Sequence, residues 1–74
     1  MRLSEVSINS KVIINKFKFN DLFMRRILDI GILPGVCIKK VIVSPFGGIA
    51  AYDINGTLIA IRDSDAKNIE VAYV

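Results

Sequence analysis

The chain has 74 residues, of which ten are basic and seven acidic, and its net charge is +3 at pH 7. A chain of this length forms one small domain with a marginal core, so we expect residues 1–74 to be a single domain without a second one. Hydrophobic residues make up 53% of the sequence, which is more than so small a core buries and which favours a partner surface or self-association.

The sequence also bears on the compartment. The longest apolar run, residues 41–52, is interrupted by Ser, Pro and Gly, whereas a membrane-spanning helix needs ~20 unbroken apolar residues. Arg2 is followed by Ser4 and Glu5, so the start does not resemble a secretory signal. The single Cys37 cannot form an internal disulfide and is typical of a small packing residue. We expect a soluble, cytosolic protein.

A strand and a helix are the first elements predicted along the chain. A short opening segment, Leu3 to Val6, precedes a run rich in Val and Ile from Lys11 to Phe17, which is typical of a strand. Asn20 is a suitable N-cap for an amphipathic helix from about Asp21 to Ile30, whose apolar side chains recur at helical spacing on one face.

The predicted helix ends at a glycine. Gly31 stands where the chain needs a left-handed residue after the last helical turn, and Ile32 is placed to pack back on Ile27. Pro34 prevents the helix from resuming, and Gly35 completes the turn. We expect both glycines to be structural, because their φ or a close approach of the backbone excludes a Cβ.

The second half of the chain is predicted to form strands joined by tight turns. The β-branched run Val36 to Val43 contains Lys39-Lys40, and two successive lysines indicate a bulge or an edge strand. After a turn over residues 44–48, strands at 49–54 and 57–61 flank Asn55-Gly56, the pair that best tolerates the positive φ of a type I′ turn.

The last predicted elements are a helical turn and a strand. Residues 63–65 offer caps for one turn over Ala66 to Asn68, and Ile69 to Val74 ends the chain as a strand. Five or six short strands without crossover helices pack best as a small, strongly bent antiparallel barrel closed by the helix. We therefore predict a mainly β fold with one α-helix inserted between early strands.

The sequence lacks the residue patterns that are typical of a catalytic site. There is no histidine, so the commonest general base and the commonest transition-metal ligand are absent. Asp63 and Asp65 are interpreted as helix caps, and Gly47-Gly48 lacks the Lys-Ser/Thr of a phosphate loop. We expect no catalytic residue, no tight metal site, no cofactor and no small-molecule substrate.

Nucleic-acid binding is the alternative class. Small barrels often stack bases on aromatic residues carried by one sheet face. The four Phe and two Tyr of this chain fall on different predicted elements, and the net charge is modest. We therefore keep a nucleic-acid-binding barrel as the weaker alternative.

Five motifs in a fixed order are spread over nearly the whole chain. They are Leu-Ser-Glu, Arg-Arg-Ile-Leu-Asp-Ile-Gly-Ile-Leu-Pro-Gly over Arg25 to Gly35, Ser-Pro-Phe-Gly-Gly, Ile-Ala-Ile-Arg and Ala-Lys-Asn-Ile-Glu-Val. Together they resemble the FeoA family. The sequence departs from the family pattern at Lys40, where the family tends to have an aliphatic residue, at Ile8 to Lys11, and at Gly47 to Ile49.

The resemblance to FeoA implies a fold, a partner and a location. It implies a cytosolic SH3-like barrel without activity of its own. Such a domain is an accessory of the ferrous iron transporter FeoB, a membrane protein with a cytosolic GTP-binding domain, and lies beside the inner membrane through it. The domain also resembles the C-terminal module of iron-dependent repressors, and a stand-alone relative of that module is a second alternative.

Charged residues off the apolar helix face are candidates for contact with an acidic partner. Arg25 and Arg26 are the two that we name, the alternative being that cations are simply favourable near a helix C-terminus. Arg62 matches an arginine of the family, and we expect a salt bridge to a helix carboxylate there in preference to partner contact.

A second candidate surface is apolar. If Tyr52, Ile54, Ile59 and Ile61 face the core, the alternation of side chains along a strand puts Leu58 outside. By the same rule Ile42 opposes Val41 and Val43. We predict a contact surface for FeoB or for self-association, the alternative being that two or more of its members complete the core. Its residues are Leu33, Ile42, Phe46 and Leu58.

Overall fold

The computed structural model describes residues 1–17, 25–26, 28–29 and 31–74. Its strands are β1 (Lys11–Phe17), β2 (Cys37–Val43), β3 (Ile49–Ile54), β4 (Thr57–Arg62) and β5 (Ile69–Tyr73). A 3-10 helix spans Leu3–Glu5 and a short α-helix, α1, spans Asp63–Ala66. The predicted strand bounds agree closely with these.

The long predicted helix falls largely outside the described residues. Within it, Arg25, Arg26, Leu28 and Asp29 are helical, which places helical structure between β1 and β2. The expected contact between Ile32 and Ile27 also lies outside the described residues, although Ile32 itself is buried.

The described strands form one antiparallel sheet in the order β4-β3-β2-β1-β5. Neighbours along the chain pair as hairpins from β2 to β4, whereas β5 returns to lie beside β1. The mainly β, antiparallel architecture with a helix between early strands is therefore confirmed.

The core lies on one side of this sheet. In β3 the side chains of Ala50, Tyr52 and Ile54 are buried and those between them are not, as the alternation of a half-buried strand requires. Ile61 is buried and Ile59 packs against the core from β4. The other buried apolar side chains come from the remaining elements: Leu3, Val6, Val12, Ile14, Ile32, Ile38, Ala66, Ile69 and Val71.

A bulge interrupts the pairing of β2 with β3 between Lys40 and Ile42, where the sequence predicted a bulge or an edge. Before the bulge the strand alternates regularly, so Lys40 faces inward opposite the buried Tyr52 and is only 6% exposed, while Lys39 stays outside. Beyond the bulge, Ile42 lies opposite Ala51 and Val43 lies opposite the buried Ala50, so Val43 is on the side of β2 opposite Ile42, although both side chains are exposed.

The turn between β3 and β4 has the geometry of a type I′ hairpin. Asn55 has φ 54° and Gly56 has φ 85°, and the N–H of Gly56 donates to Asp53 Oδ1 at 2.9 Å. The register that results places Asp53 opposite Leu58 and Ala51 opposite Ala60. This turn therefore decides which residues of β4 reach the outer side of the sheet.

The helical turn near the C-terminus begins earlier than predicted. Asp63, Ser64 and Asp65 lie inside α1 and do not cap a turn at 66–68. Acidic residues are favourable throughout the first turn of a helix, so the same residue types suit both placements. The N–H of Asp63 donates to the carbonyl of Gly48 at 2.8 Å and joins α1 to the loop before β3.

Candidate partner-binding surface

The outer side of the sheet carries an apolar row across three strands. Ile42 of β2 lies opposite Ala51 of β3, and Ala51 lies opposite Ala60 of β4. Leu58, two residues before Ala60 on the same side, extends this row. Ile42 is 54% exposed and Leu58 57% exposed. We call Ile42, Ala51, Leu58 and Ala60 the outer apolar face.

The loop between β2 and β3 adds an aromatic side chain at one end of this face. The N–H of Gly47 donates to the carbonyl of Ser44 at 3.0 Å, and the N–H of Phe46 donates to Ser44 Oγ at 3.4 Å. This tight loop leaves Phe46 98% exposed. A fully exposed Phe is unusual at a turn, where polar residues dominate.

Ile42 and Leu58 therefore share the outer side of the sheet, and Phe46 lies in the loop that follows the strand of Ile42. Leu33 is exposed but precedes β2, whereas Ile42 lies near the other end of that strand. The segment that contains Leu33 is hydrogen-bonded to β1, because the N–H of Gly35 donates to the carbonyl of Ile14 at 2.7 Å. The structure does not bring Leu33 to the outer apolar face.

Gly31 and Gly35 have the left-handed backbone conformation that the sequence predicts for this turn. Gly31 has φ 85° and its N–H donates to the carbonyl of Leu28 at 3.0 Å, while Gly35 has φ 90°. A Cβ added at either would meet nothing within 4 Å, so torsion and not a close approach disfavours a side chain. Pro34 is exposed between them.

The three predicted arginines are exposed, and Arg62 lies on the same side of β4 as Ala60, two residues beyond it. Arg25 and Arg26 lie in the helical stretch between β1 and β2. Arg62 ends β4, opposite Ile49. Within the described ranges the ion pair joins the amino group of Met1 to Glu70 at 3.6 Å, so the salt bridge expected for Arg62 is not seen there.

Two lysines that sequence reasoning did not select flank a cleft beside the outer apolar face. Lys11 of β1 lies directly opposite Lys39 of β2, and Lys39 lies opposite Asp53. Alternation predicts that both lysines point outward, but only the register shows that they meet. The cleft, which we call the lysine cleft, has a volume of about 330 Å³ and is lined by Lys11, Cys37, Ile38, Lys39, Asp53, Asn55 and Gly56.

A polar pair is buried on the inner side of β2 and β3. Lys40 Nζ donates to the carbonyl of Ser4 at 3.3 Å and lies 5.7 Å from the centre of the Tyr52 ring. The hydroxyl of Tyr52 is buried without a hydrogen-bond partner among the described residues. Burial, with a smaller effect of the Asp63 charge, raises the pKa of Tyr52 to about 12.

The described residues contain no group of three or more His, Cys, Asp or Glu placed to hold a metal ion. In that same part of the chain, no helix has the length and apolar character needed to cross a bilayer.

Comparison with known proteins decides the family. The model of the FeoA domain matches residues 1–73. The chain belongs to the FeoA family. Its FeoA fold is shared with the FeoA-like protein of Clostridium acetobutylicum, which is 32% identical with a TM-score of 0.90, covering 100% of this chain and 86% of that one.

Two further FeoA relatives are informative. The zinc-complexed FeoA of Stenotrophomonas maltophilia, described as an SH3-domain protein, is 26% identical with a TM-score of 0.83, covering 97% of this chain and 89% of that one. The Fe(2+) transport protein A/Fe(2+) transporter FeoB fusion protein of Porphyromonas gingivalis is 31% identical over 74 residues, which are 100% of this chain. This chain spans only 9% of the fusion protein's length.

Proposed function

We propose that this FeoA-family chain is a non-enzymatic accessory of ferrous iron transport that binds a FeoB transporter from the cytoplasm. The observation that carries the proposal is the outer apolar face with Phe46 at its end, on a domain whose relative is fused to FeoB. We assign the contact with FeoB to Ile42, Phe46 and Leu58.

The fused relative supports contact between the two parts for a physical reason. A covalent link raises the effective concentration of two domains to the millimolar range, so even a weak contact forms within one chain. The contact itself must still be made by a surface of the FeoA domain. An exposed apolar patch is the feature that most often marks such a surface.

The outer apolar face has the composition expected of an interface core. Its four residues are all apolar, and the small Ala51 and Ala60 lie beside the larger Ile42 and Leu58. Interface cores are depleted in charge and use a few large anchors, of which aromatic residues are the commonest. Phe46 fits that role.

The test is co-purification with FeoB from a detergent extract, using wild type and Leu58→Glu. Because Leu58 is largely exposed but lies opposite Asp53, we expect the substitution to lower the free energy of unfolding by no more than about 1 kcal/mol, the cost of two opposed carboxylates, while association with FeoB is lost. Thermal denaturation measures the first quantity. Ile61→Glu, on the same strand but buried, is the control that should fail to fold.

Two results would overturn the proposal. If the wild-type protein never co-purifies with FeoB, then FeoB is not its partner. If a folded Leu58→Glu variant retains full FeoB binding and iron uptake, then the outer apolar face is not the contact surface.

A further inference from the structure

The positive charges of Lys11 and Lys39, which lie opposite each other, repel one another in the free protein. Like charges directly opposite each other on an antiparallel pair of strands are destabilising. Both residues are exposed, and the ion pair formed within the described ranges involves neither of them. A bound anion would relieve the repulsion that the free protein carries.

Asp53 is the carboxylate opposite Lys39 in the sheet, and it already accepts a hydrogen bond in the β3–β4 turn. Its Oδ1 accepts the N–H of Gly56 at 2.9 Å, which holds the carboxylate toward the turn. It lines the lysine cleft with the two lysines, so the three charged side chains leave a net charge of +1. That charge suits a single carboxylate better than a doubly charged phosphate.

The neighbours of the lysine cleft indicate what carries the carboxylate. Lys11, Lys39, Asp53 and Leu58 follow one another across β1 to β4 in a single outer row. A ligand seated between the lysines therefore lies two strands away from Leu58, and a peptide running across the sheet reaches both. The surface is complementary to a segment that is acidic at one end and apolar at the other.

We propose that the lysine cleft binds an Asp or Glu side chain of a partner protein, in a segment whose adjoining apolar side chains cover the outer apolar face. The inference rests on the proposed function, because the segment belongs to FeoB. Within it, the lysine pair fixes the direction of the segment, since only one end of the outer row is cationic.

The test measures the affinity of detergent-solubilised FeoB for wild type, Lys11→Glu, Leu58→Glu and the matched control Lys67→Glu. Lys67 is exposed beyond α1, so its reversal makes the same change in net charge away from the cleft. We expect Lys11→Glu to weaken binding about tenfold and Lys67→Glu to leave it within about twofold. Lys11→Glu replaces a repulsive cross-strand pair by an attractive one, so its thermal midpoint should equal or exceed that of wild type.

The outcomes separate the two proposals. No FeoB binding by wild type overturns the proposed function and this inference with it. If Leu58→Glu loses FeoB binding while Lys11→Glu binds like wild type, only the lysine cleft is overturned. Equal losses of FeoB binding in Lys11→Glu and Lys67→Glu also overturn only the lysine cleft. Binding of wild type, but not Lys11→Glu, to phosphatidylglycerol vesicles without FeoB assigns the cleft to a lipid headgroup and overturns the carboxylate.

Discussion

Lys40 is the residue at which this chain departs most from what its place in the fold favours. Its place in β2, opposite the buried Tyr52, points it toward the core, where its amino group meets one backbone carbonyl and the face of Tyr52. The resemblance to FeoA already marks this position as one usually filled by an aliphatic residue. A buried charge with a single hydrogen bond gains little over an apolar side chain of the same length.

We predict that Lys40→Met leaves the free energy of unfolding unchanged or raises it. Lys40→Ala, in contrast, should lower it by about 2 kcal/mol, because it also removes the stem that packs in the core. Urea denaturation of the two variants measures both effects. If Lys40→Met lowered the free energy of unfolding as much as Lys40→Ala, the hydrogen bond to Ser4 would contribute more to stability than we expect.

Tyr52 gives a prediction at alkaline pH. Its hydroxyl is fully buried, and the folded state favours the neutral phenol, with a pKa of about 12 against 10.0 for the free side chain. The unfolded chain therefore loses this proton first. The contribution to stability is complete below pH 10 and is lost as the pH rises through about 12, by at most about 1.4 kcal/mol per pH unit.

The measurement is the unfolding free energy from pH 8 to about 12 for wild type and Tyr52→Phe. The hydroxyl has no partner among the described residues, so its removal should be nearly neutral at pH 8 and should flatten the alkaline fall. Equal pH dependence in the two proteins would assign the fall to another group.

At the scale of elements, local chemistry predicted the turns and strands but not their register. Asn55-Gly56 fixes the β3–β4 hairpin because few other residue pairs accept two positive φ values. The bulge near Lys40 was indicated by two successive lysines. The meeting of Lys11 with Lys39 depends on pairing across 28 residues of chain, and no alternation pattern within either strand specifies it.

The same distinction accounts for the predictions that differ from the structure. Residues 63–65 suit the cap and the first turn of a helix equally, so α1 was placed too late. Leu33 and Ile42 are both exposed and apolar, but Leu33 precedes β2 and Ile42 lies near the other end of that strand. Exposure follows from local pattern, whereas proximity follows from the sheet.

The turn before β2 provides a test at this scale. Gly35 combines φ 90° with a short hydrogen bond to Ile14, and open space surrounds the position of a Cβ. We predict that Gly35→Ala lowers the free energy of unfolding by about 1–2 kcal/mol through torsional strain alone. Gly35→Asn should cost less, since Asn tolerates left-handed backbone better. Equal losses in the two variants, measured by thermal denaturation, would argue for a steric cause.

For the whole molecule, a marginal core and a surplus of apolar residues point to a protein that works by contact. The inner side of the sheet takes the buried residues of every described element, while Ile42, Phe46 and Leu58 stay outside. A surface of that kind gains most of its binding energy from burial, with charge setting orientation and rate. A nucleic-acid-binding barrel gains it mainly from phosphate neutralisation.

Ionic strength separates these two classes. Binding to nucleic acid weakens by roughly 0.9 of a log unit per phosphate contact for each log unit of salt, so several contacts give a steep slope. An interface built on the outer apolar face, with one carboxylate between Lys11 and Lys39, should respond to salt far more weakly.

We predict that FeoB binding falls less than tenfold between about 50 and 200 mM salt, while a random oligonucleotide shows no binding at the upper value. Fluorescence anisotropy with labelled oligonucleotide and labelled protein measures both slopes. Tight oligonucleotide binding at the upper salt concentration, with a slope that Lys11→Glu reduces by about one contact, would make the outer sheet surface a nucleic-acid site and reject FeoB as its ligand.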